Sequence, residues 1–330
     1  MAGLEKQKIQ LGYIPLLDCV ALLWAEHRGF FNEVGLDVDL VKEASWASLR
    51  DRLAYGFLDA AHCLSAMLPA AAAGYDQLGI PLQTPLILSQ NHAFITLSQK
   101  LCFELNIDAQ DSAAESAQKV IHAFKKGKSL NFAHVFKHSI HHYCLREWLA
   151  LADQNVAEHI QLHTLPPPFM VEALHQQKID GFCVGEPWNT QAEVEGIGHI
   201  IQSGQDIIPN VADKVLAVTQ EWSQQNPNTL KALCMAIEKA QHELRCLEEF
   251  SEVWNLLQRF DIIRFACSSI VHVKKFYAIQ EIIRGLAPLD LRPKTEDFQW
   301  LSIQMQKWDK VIISSQDTTE ICEKCIVLVE

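Results

Sequence analysis

The chain has 330 residues, 49% of them apolar and 21% charged, with a net charge of −12. That length suits two packed lobes better than one core, and the composition excludes a disordered chain. The acidic balance argues against a general nucleic-acid or anionic-membrane binder, although a local cationic pocket for a small anion stays open.

The first strand-like run begins at Ile9. That leaves no room after Met1 for a charged, then apolar, then cleavable leader, so a cytoplasmic protein is expected. No apolar run reaches the roughly 18 residues that a membrane span requires, and no membrane association is expected. Residues 9–14 read as a strand and 19–31 as a helix. Residues 36–41 alternate like a half-buried strand, and Ser45 is placed to cap a helix reaching Tyr55. A short strand at 58–62 and an alanine-rich helix at 67–74 complete a βαβαβα order, which predicts right-handed crossovers and a parallel sheet.

Residues 86–89 and 94–97 read as a strand crossing into a second lobe. There, 129–136 is a predicted strand, 140–151 a helix, 160–165 a strand and 170–177 a helix opened by three prolines. The run Phe182 to Val184 is a strand that stops at Gly185-Glu186-Pro187, the pattern of a cleft rim. A strand at 214–219 reads as the return crossing, followed by mostly helical sequence in which 262–271 is either a buried helix or an interaction surface. The predicted division is 1–90 for lobe 1, 91–205 for lobe 2, and 206–330 for the return to lobe 1 with C-terminal helices.

Several residues carry competing readings. His134, His138 and His142 recur at i, i+4 and i+8, which would align imidazoles for a metal if 131–142 were a helix; 131–136 reads better as a buried strand. His92 belongs either to a donor cluster at the lobe crossing or to a polar turn. Ten cysteines lie within apolar stretches and read as small buried hydrophobes. Only Cys322-Glu323-Lys324-Cys325 has a chelating or redox spacing, a weak signal when single. No metal or cofactor is expected, and no clustered cysteine motif of the kind a precursor-synthase enzyme needs occurs.

Residues 11–18, 44–51, 59–62, 166–171, 180–189 and 213–218, with Ala44-Ser45-Trp46 and Gly185-Glu186-Pro187-Trp188-Asn189 the most specific, resemble in order the nitrate- and bicarbonate-binding proteins of ABC uptake systems (NrtA and CmpA types). They resemble more closely the cytoplasmic nitrate/nitrite sensors of the NasS type. The resemblance implies an α/β fold, a type II periplasmic-binding-protein-like clamshell of two doubly wound lobes, without catalytic activity. It places Trp46, His141 and Lys214 at the family's anion contacts. An indole N–H donates without accepting, His141 starts a helix whose dipole favours an anion, and Lys214 supplies a point charge. In the bicarbonate branch a glutamate working with calcium stands at Lys214, so the lysine favours nitrate or nitrite.

Gly185 and Glu186 form the rim, with Glu186 expected to orient His141 or Lys214, since two anionic groups in contact repel. His92 stands nearest the place of a missing family Gln or Asn donor, and Ile140 replaces a family threonine. The implied partner is an ANTAR-type antiterminator (NasT-like), with no direct nucleic-acid contact by this chain. The alternative is a receptor for an ABC nitrate/nitrite uptake system.

Overall fold

The structure is a computed structural model that describes residues 3–265 and 270–329, without the side chains of residues 270, 271, 315 and 316. In the first pass, β1 (Lys8–Tyr13) leads to α1 (Val20–His27) and α2 (Phe30–Glu33), and β2 (Asp37–Lys42) to α3 (Trp46–Ala54). β3 (Ala60–Leu64), α4 (Met67–Ala72) and β4 (Leu82–Gln90) follow. The second set holds β5 (Ala93–Ser98), α5 (Gln99–Leu105), α6 (Ala113–Lys125), β6 (Phe132–His134), α7 (Ile140–Ala150) and α8 (Gln154–His159). It continues with β7 (Leu162–Thr164), α9 (Met170–His175), β8 (Gly181–Gly185), α10 (Trp188–Val194) and β9 (Gly198–Ser203). The remainder is β10 (Ala212–Thr219), α11 (Gln220–Gln225), α12 (Pro227–Cys246), α13 (Ser251–Arg259), α14 (Ile270–Gly285), α15 (Thr295–Asp309) and α16 (Ser315–Lys324).

These elements form two compact units. One comprises residues 1–90, 211–263 and 280–330; the other comprises 91–210 and 264–279. Residues 206–210 and 264–279 thus go with the second unit, whereas the sequence reading kept all of 206–330 in the first. Of the segment 262–271, residues 266–269 lie outside the described residues.

The first unit's sheet has the order β2-β1-β3-β10-β4. β1 runs parallel to β2 and β3, while β10 is antiparallel to both β3 and β4. The parallel pairing expected from the βαβαβα order holds for β1, β2 and β3, whereas β10 is antiparallel because it arrives from the second unit instead of through a βαβ crossover. α12 covers the sheet's helical layer through contacts with α1 and α2. The outer edge of β4 is not left open. Thr84 N–H donates to Cys325 O at 2.8 Å, Ile87 N–H to Leu291 O at 2.8 Å and Gln90 N–H to Leu286 O at 2.8 Å.

The second unit's sheet is ordered β7-β6-β8-β5-β9, with β5 its antiparallel strand. β8 is buried along its whole length, as its run Gly-Phe-Cys-Val-Gly requires. A Cβ on Gly181 would stand 2.5 Å from Leu97 Cδ2 and 2.7 Å from Thr96 O, so only glycine lets β5 approach. α6 begins with a full capping box between Ser112 and Glu115.

Among the described residues no helix is long and apolar enough to cross a membrane.

Candidate functional site

In both units the residues singled out from the sequence lie at the carboxyl edge of the parallel strands, where α/β sheets present ligand-binding loops. Trp46 and Lys214 fall on the first unit; His92, His141, Gly185 and Glu186 fall on the second.

In the first unit α3 is set by its own start. Ser45 Oγ accepts from Ser48 N–H at 3.2 Å, which caps the helix as its sequence predicts. Buried Glu43 then holds the helix from outside, accepting from Ser48 Oγ at 2.6 Å and Arg52 Nη1 at 2.5 Å. The first helical residue is Trp46, 1% exposed, and its indole N–H has no acceptor among the described residues. A buried donor left without an acceptor costs about 1–3 kcal/mol, so an acceptor atom placed there would be stabilised.

Below Trp46 lies a cluster of ionisable side chains that the sequence reading left without a role, apart from Lys214 itself. Lys214 Nζ stands 5.7 Å from the Trp46 ring centroid, and the His62 ring lies 5.6 Å from the indole. Lys214 is fully buried, with Nζ 3.0 Å from Asp18 Oδ2 and 2.6 Å from Asp213 Oδ2. Asp18 Oδ1 is in turn 2.8 Å from His62 Nε2. The point charge that the sequence analysis gave to Lys214 is thus already shared by two carboxylates.

The titration behaviour follows from this crowding. Burial pushes the Asp18 carboxyl up, but Lys214 and His62 outweigh it and hold the group well below the usual carboxylate range. Asp213 is pushed up to about 6 by burial, against the pull of Lys214 and with Asp18 adding to the rise. Burial favours a neutral Lys214, yet Asp18 and Asp213 raise its pKa above the ordinary lysine value. His62 is lowered, chiefly by burial, although Asp18 opposes the shift.

An ionised Asp18 can only accept, so His62 carries its hydrogen on Nε2 and presents Nδ1 as a bare acceptor. That Nδ1 has no donor among the described residues. The first unit thus sets an unused donor, an unused acceptor and a cation between two carboxylates around one tryptophan.

In the second unit His141 is fully buried as the second residue of α7, whose N-cap Ser139 accepts from His142 N–H at 3.1 Å. Gly185 closes β8 and pairs in register with Ala93, which brings it beside the two-residue link 91–92 containing half-buried His92. Glu186 is buried and stands before α10. Its Oε2 accepts from Thr190 N–H at 3.0 Å and its Oε1 from Thr190 Oγ1 at 2.9 Å. Both carboxylate oxygens therefore hold the first turn of α10, a task the sequence reading did not assign. Burial pushes Glu186 up to about 7, with the Thr190 bonds and Lys275 opposing and Glu193 adding to the rise.

The imidazole series 134, 138, 142 does not share a helix. His134 ends β6, His138 lies in the loop and His142 belongs to α7. His134 and His142 nonetheless stack, 4.6 Å between centroids, because the fold returns one over the other. Among the described residues no group of three or more His, Cys, Asp or Glu is placed to hold a metal ion.

Cys322 and Cys325 are buried thiols, Cys325 Sγ donating to Ile321 O at 3.2 Å, and burial raises the pKa of both. Cys183 is a buried thiol inside β8, and burial pushes Cys63 up to about 12. These thiols have the surroundings of core residues rather than of nucleophiles.

Comparison with known proteins places this arrangement. The model of the NMT1-like family matches residues 2–257. The bicarbonate transport ATP-binding protein CmpC of Synechocystis sp. is 39% identical over 241 residues, covering 72% of this chain and 35% of its own length. The nitrate import ATP-binding protein NrtC of the same organism is 37% identical over 244 residues, again 72% of this chain and 35% of its own. The nitrate/nitrite binding protein NrtA of Nostoc sp. is 32% identical over 276 residues, 82% of this chain and 61% of its own. The chain thus spans about a third of the two ATP-binding relatives and less than two thirds of NrtA.

Among solved structures, the periplasmic nitrate-binding protein NrtA from Synechocystis PCC 6803 aligns with a TM-score of 0.85 at 24% identity, covering 98% of this chain and 87% of that one. The alkanesulfonate-binding protein SsuA from Xanthomonas axonopodis pv. citri aligns at 0.72 and 13% identity, covering 99% and 100%. With an α/β fold shared with these binding proteins and a family match over most of its length, the chain belongs to the NMT1-like family.

Proposed function

We propose that this protein binds nitrate or nitrite in the cytoplasm as a sensor of the NasS type and controls an ANTAR-type (NasT-like) antiterminator of nitrate assimilation. The observation that carries the ligand class is the buried Trp46 N–H, which has no acceptor among the described residues, at the start of α3 and 5.7 Å, measured at the ring centroid, from Lys214 Nζ. An oxyanion oxygen supplies the missing acceptor. The relatives named for nitrate or nitrite support the choice of anion.

The sensory role draws support from the ATP-binding relatives. In CmpC and NrtC the matched part is about a third of a larger ATP-binding protein. An ATP-binding subunit takes its ATP from the cytosol, and we infer that the module this chain matches works on that same side. A freely diffusing sensor needs the same binding chemistry and a partner that prefers one ligation state.

Calorimetry with nitrate, nitrite and bicarbonate on the full chain tests the ligand, and titration of the sensor–antiterminator complex with the same anions tests the output. Nitrate or nitrite binding with release of the partner is expected. A complex that stays intact at saturating anion overturns the sensory role and leaves the uptake-receptor reading.

Bicarbonate is the competing ligand, favoured by one observation. Lys214 already faces two carboxylates, and His62 Nδ1 offers an acceptor that an O–H group can fill and nitrate cannot. Tighter binding of bicarbonate than of nitrate in the same titration decides for it.

A further inference from the structure

The loop at 135–139, which joins β6 to α7, is held from within by side chains that no functional reading has used. His134 Nδ1 is 2.9 Å from Phe136 O, and Ser139 Oγ donates to the same carbonyl at 2.6 Å. His142 Nδ1 is 2.8 Å from Lys137 O. A carbonyl only accepts, so both histidines carry hydrogen on Nδ1.

His142 Nε2 then faces Arg146, whose Nε donates to it at 3.2 Å. Arginine does not give up its proton, so this bond fixes the tautomer of His142 and keeps the ring neutral. Arg146 is itself anchored, with Nη1 donating to Ala157 O and, at 2.9 Å, to Ile160 O at the end of α8. The chain of contacts runs from α8 through Arg146 and His142 to Lys137 O. His134 stacks on His142 at 4.6 Å and ties down the neighbouring carbonyl. What this loop delivers is the first turn of α7, with buried His141 in its second position.

We propose that Arg146 is a positioning residue for the anion site: by locking His142 it fixes the 135–139 loop and thereby the place of His141. This rests on the proposed role of His141 as an anion contact. Arg146 acts on the site through its bond to His142 rather than by touching the ligand.

The test is a double-mutant cycle on the full chain, with nitrate affinity read by calorimetry for wild type, Arg146→Met, His142→Phe and the pair. Ring-nitrogen NMR of His142 and amide exchange across 135–142 are read without ligand. Arg146→Met is expected to weaken nitrate binding about tenfold, the loss typical when the partner that orients a binding residue is removed. It also shifts the His142 Nε2 resonance and speeds exchange in the loop. The pair is expected to bind no worse than His142→Phe alone.

An Arg146→Met affinity within about twofold of wild type overturns the proposal, as do losses that simply add in the pair. An arginine that only pins α8 would lower the melting temperature and leave both affinity and the His142 resonance in place. If Arg146→Met does not fold, Arg146→Lys, which keeps the charge but not the planar fork, carries the same comparison. Wild type that binds none of the three anions removes the proposed function instead, and the ligand-free measurements then decide whether Arg146 locks the loop.

Discussion

Replacing Lys214 by methionine is the sharpest test of the buried cluster. Lys214 Nζ lies 3.0 Å from Asp18 Oδ2 and 2.6 Å from Asp213 Oδ2, and all three side chains are buried. At an effective dielectric near 20, a unit pair at such distances is worth roughly 6 kcal/mol. Desolvation offsets much of this, and breaking a buried pair costs about 3–5 kcal/mol in practice. Lys214→Met is therefore expected to lose about 3–5 kcal/mol at pH 7.5 by urea denaturation.

The loss is expected to shrink in acid. Without the lysine, at least one carboxyl has a folded pKa far above its unfolded value near ~3.9. The folded state then binds more protons, and stability falls as pH rises through that window by up to about 1.4 kcal/mol per unit. Wild-type Asp213 is raised only to about 6, so its contribution has levelled off by pH 7 while the variant is still losing stability. Adding Asp213→Asn is expected to recover part of the loss and flatten the slope. A single variant within about 1 kcal/mol of wild type at pH 7.5 would refute the reasoning, because no buried cluster of ions would then be at stake. Charge reversal, Lys214→Glu, is a poor probe of ligand preference, since it sets three carboxyl groups together in the core.

Trp46→Phe keeps an apolar ring and deletes the unused N–H. Calorimetry is expected to show about a tenfold or greater loss of nitrate affinity, with a small stability change because no hydrogen bond to the described residues is broken. Glu186→Gln is expected to gain stability relative to wild type as pH rises from about 4.3 to about 7, and to level off beyond. The sign follows from the raised folded pKa, which makes the wild-type carboxyl costly to ionise; parallel urea curves for the two proteins across that range would contradict it. Cys322 and Cys325 are expected to resist maleimide labelling in the native protein while exposed Cys246 reacts, checked by mass spectrometry before and after unfolding. Native labelling of the buried pair would return the Cys-x-x-Cys spacing to consideration.

Much of the architecture was legible because burial and period coincide. The apolar runs at β1 and β8, the cap at Ser45 and the crossing near Gln90 all declare themselves locally. The antiparallel place of β10 is not local, since it depends on where a long-range return docks. Among candidate site residues, Trp46 was singled out by the family resemblance, since a tryptophan beside a helix cap reads by itself as core. Asp18, His62 and Asp213 lay inside the very segments that carried the family likeness, each a charged or polar residue among apolar ones. That signal was available, but it names no partner: Asp18 meets Lys214 across 196 positions of sequence, and only the sheet brings them together. Glu186 reads as a buried acid from its neighbours, whereas its bonds to Thr190 depend on how α10 begins. The histidine series misleads in the opposite way, offering a helical spacing where a strand, a loop and a helix meet.

The hydrogen bonds along the outer edge of β4 set the limits of the folding unit wider than those of the matching family model. The family match ends at residue 257, yet the carbonyls that occupy Thr84, Ile87 and Gln90 belong to Cys325, Leu291 and Leu286. A chain cut at residue 257 would keep Trp46, His141 and Lys214 and present a row of unpaired amides to its neighbours, a template for edge-to-edge association. The C-terminal residues serve as a selvedge: buried Phe298, Leu301 and Met305 fasten them to the body of the unit, and their backbone carbonyls close the sheet edge against extension by another molecule.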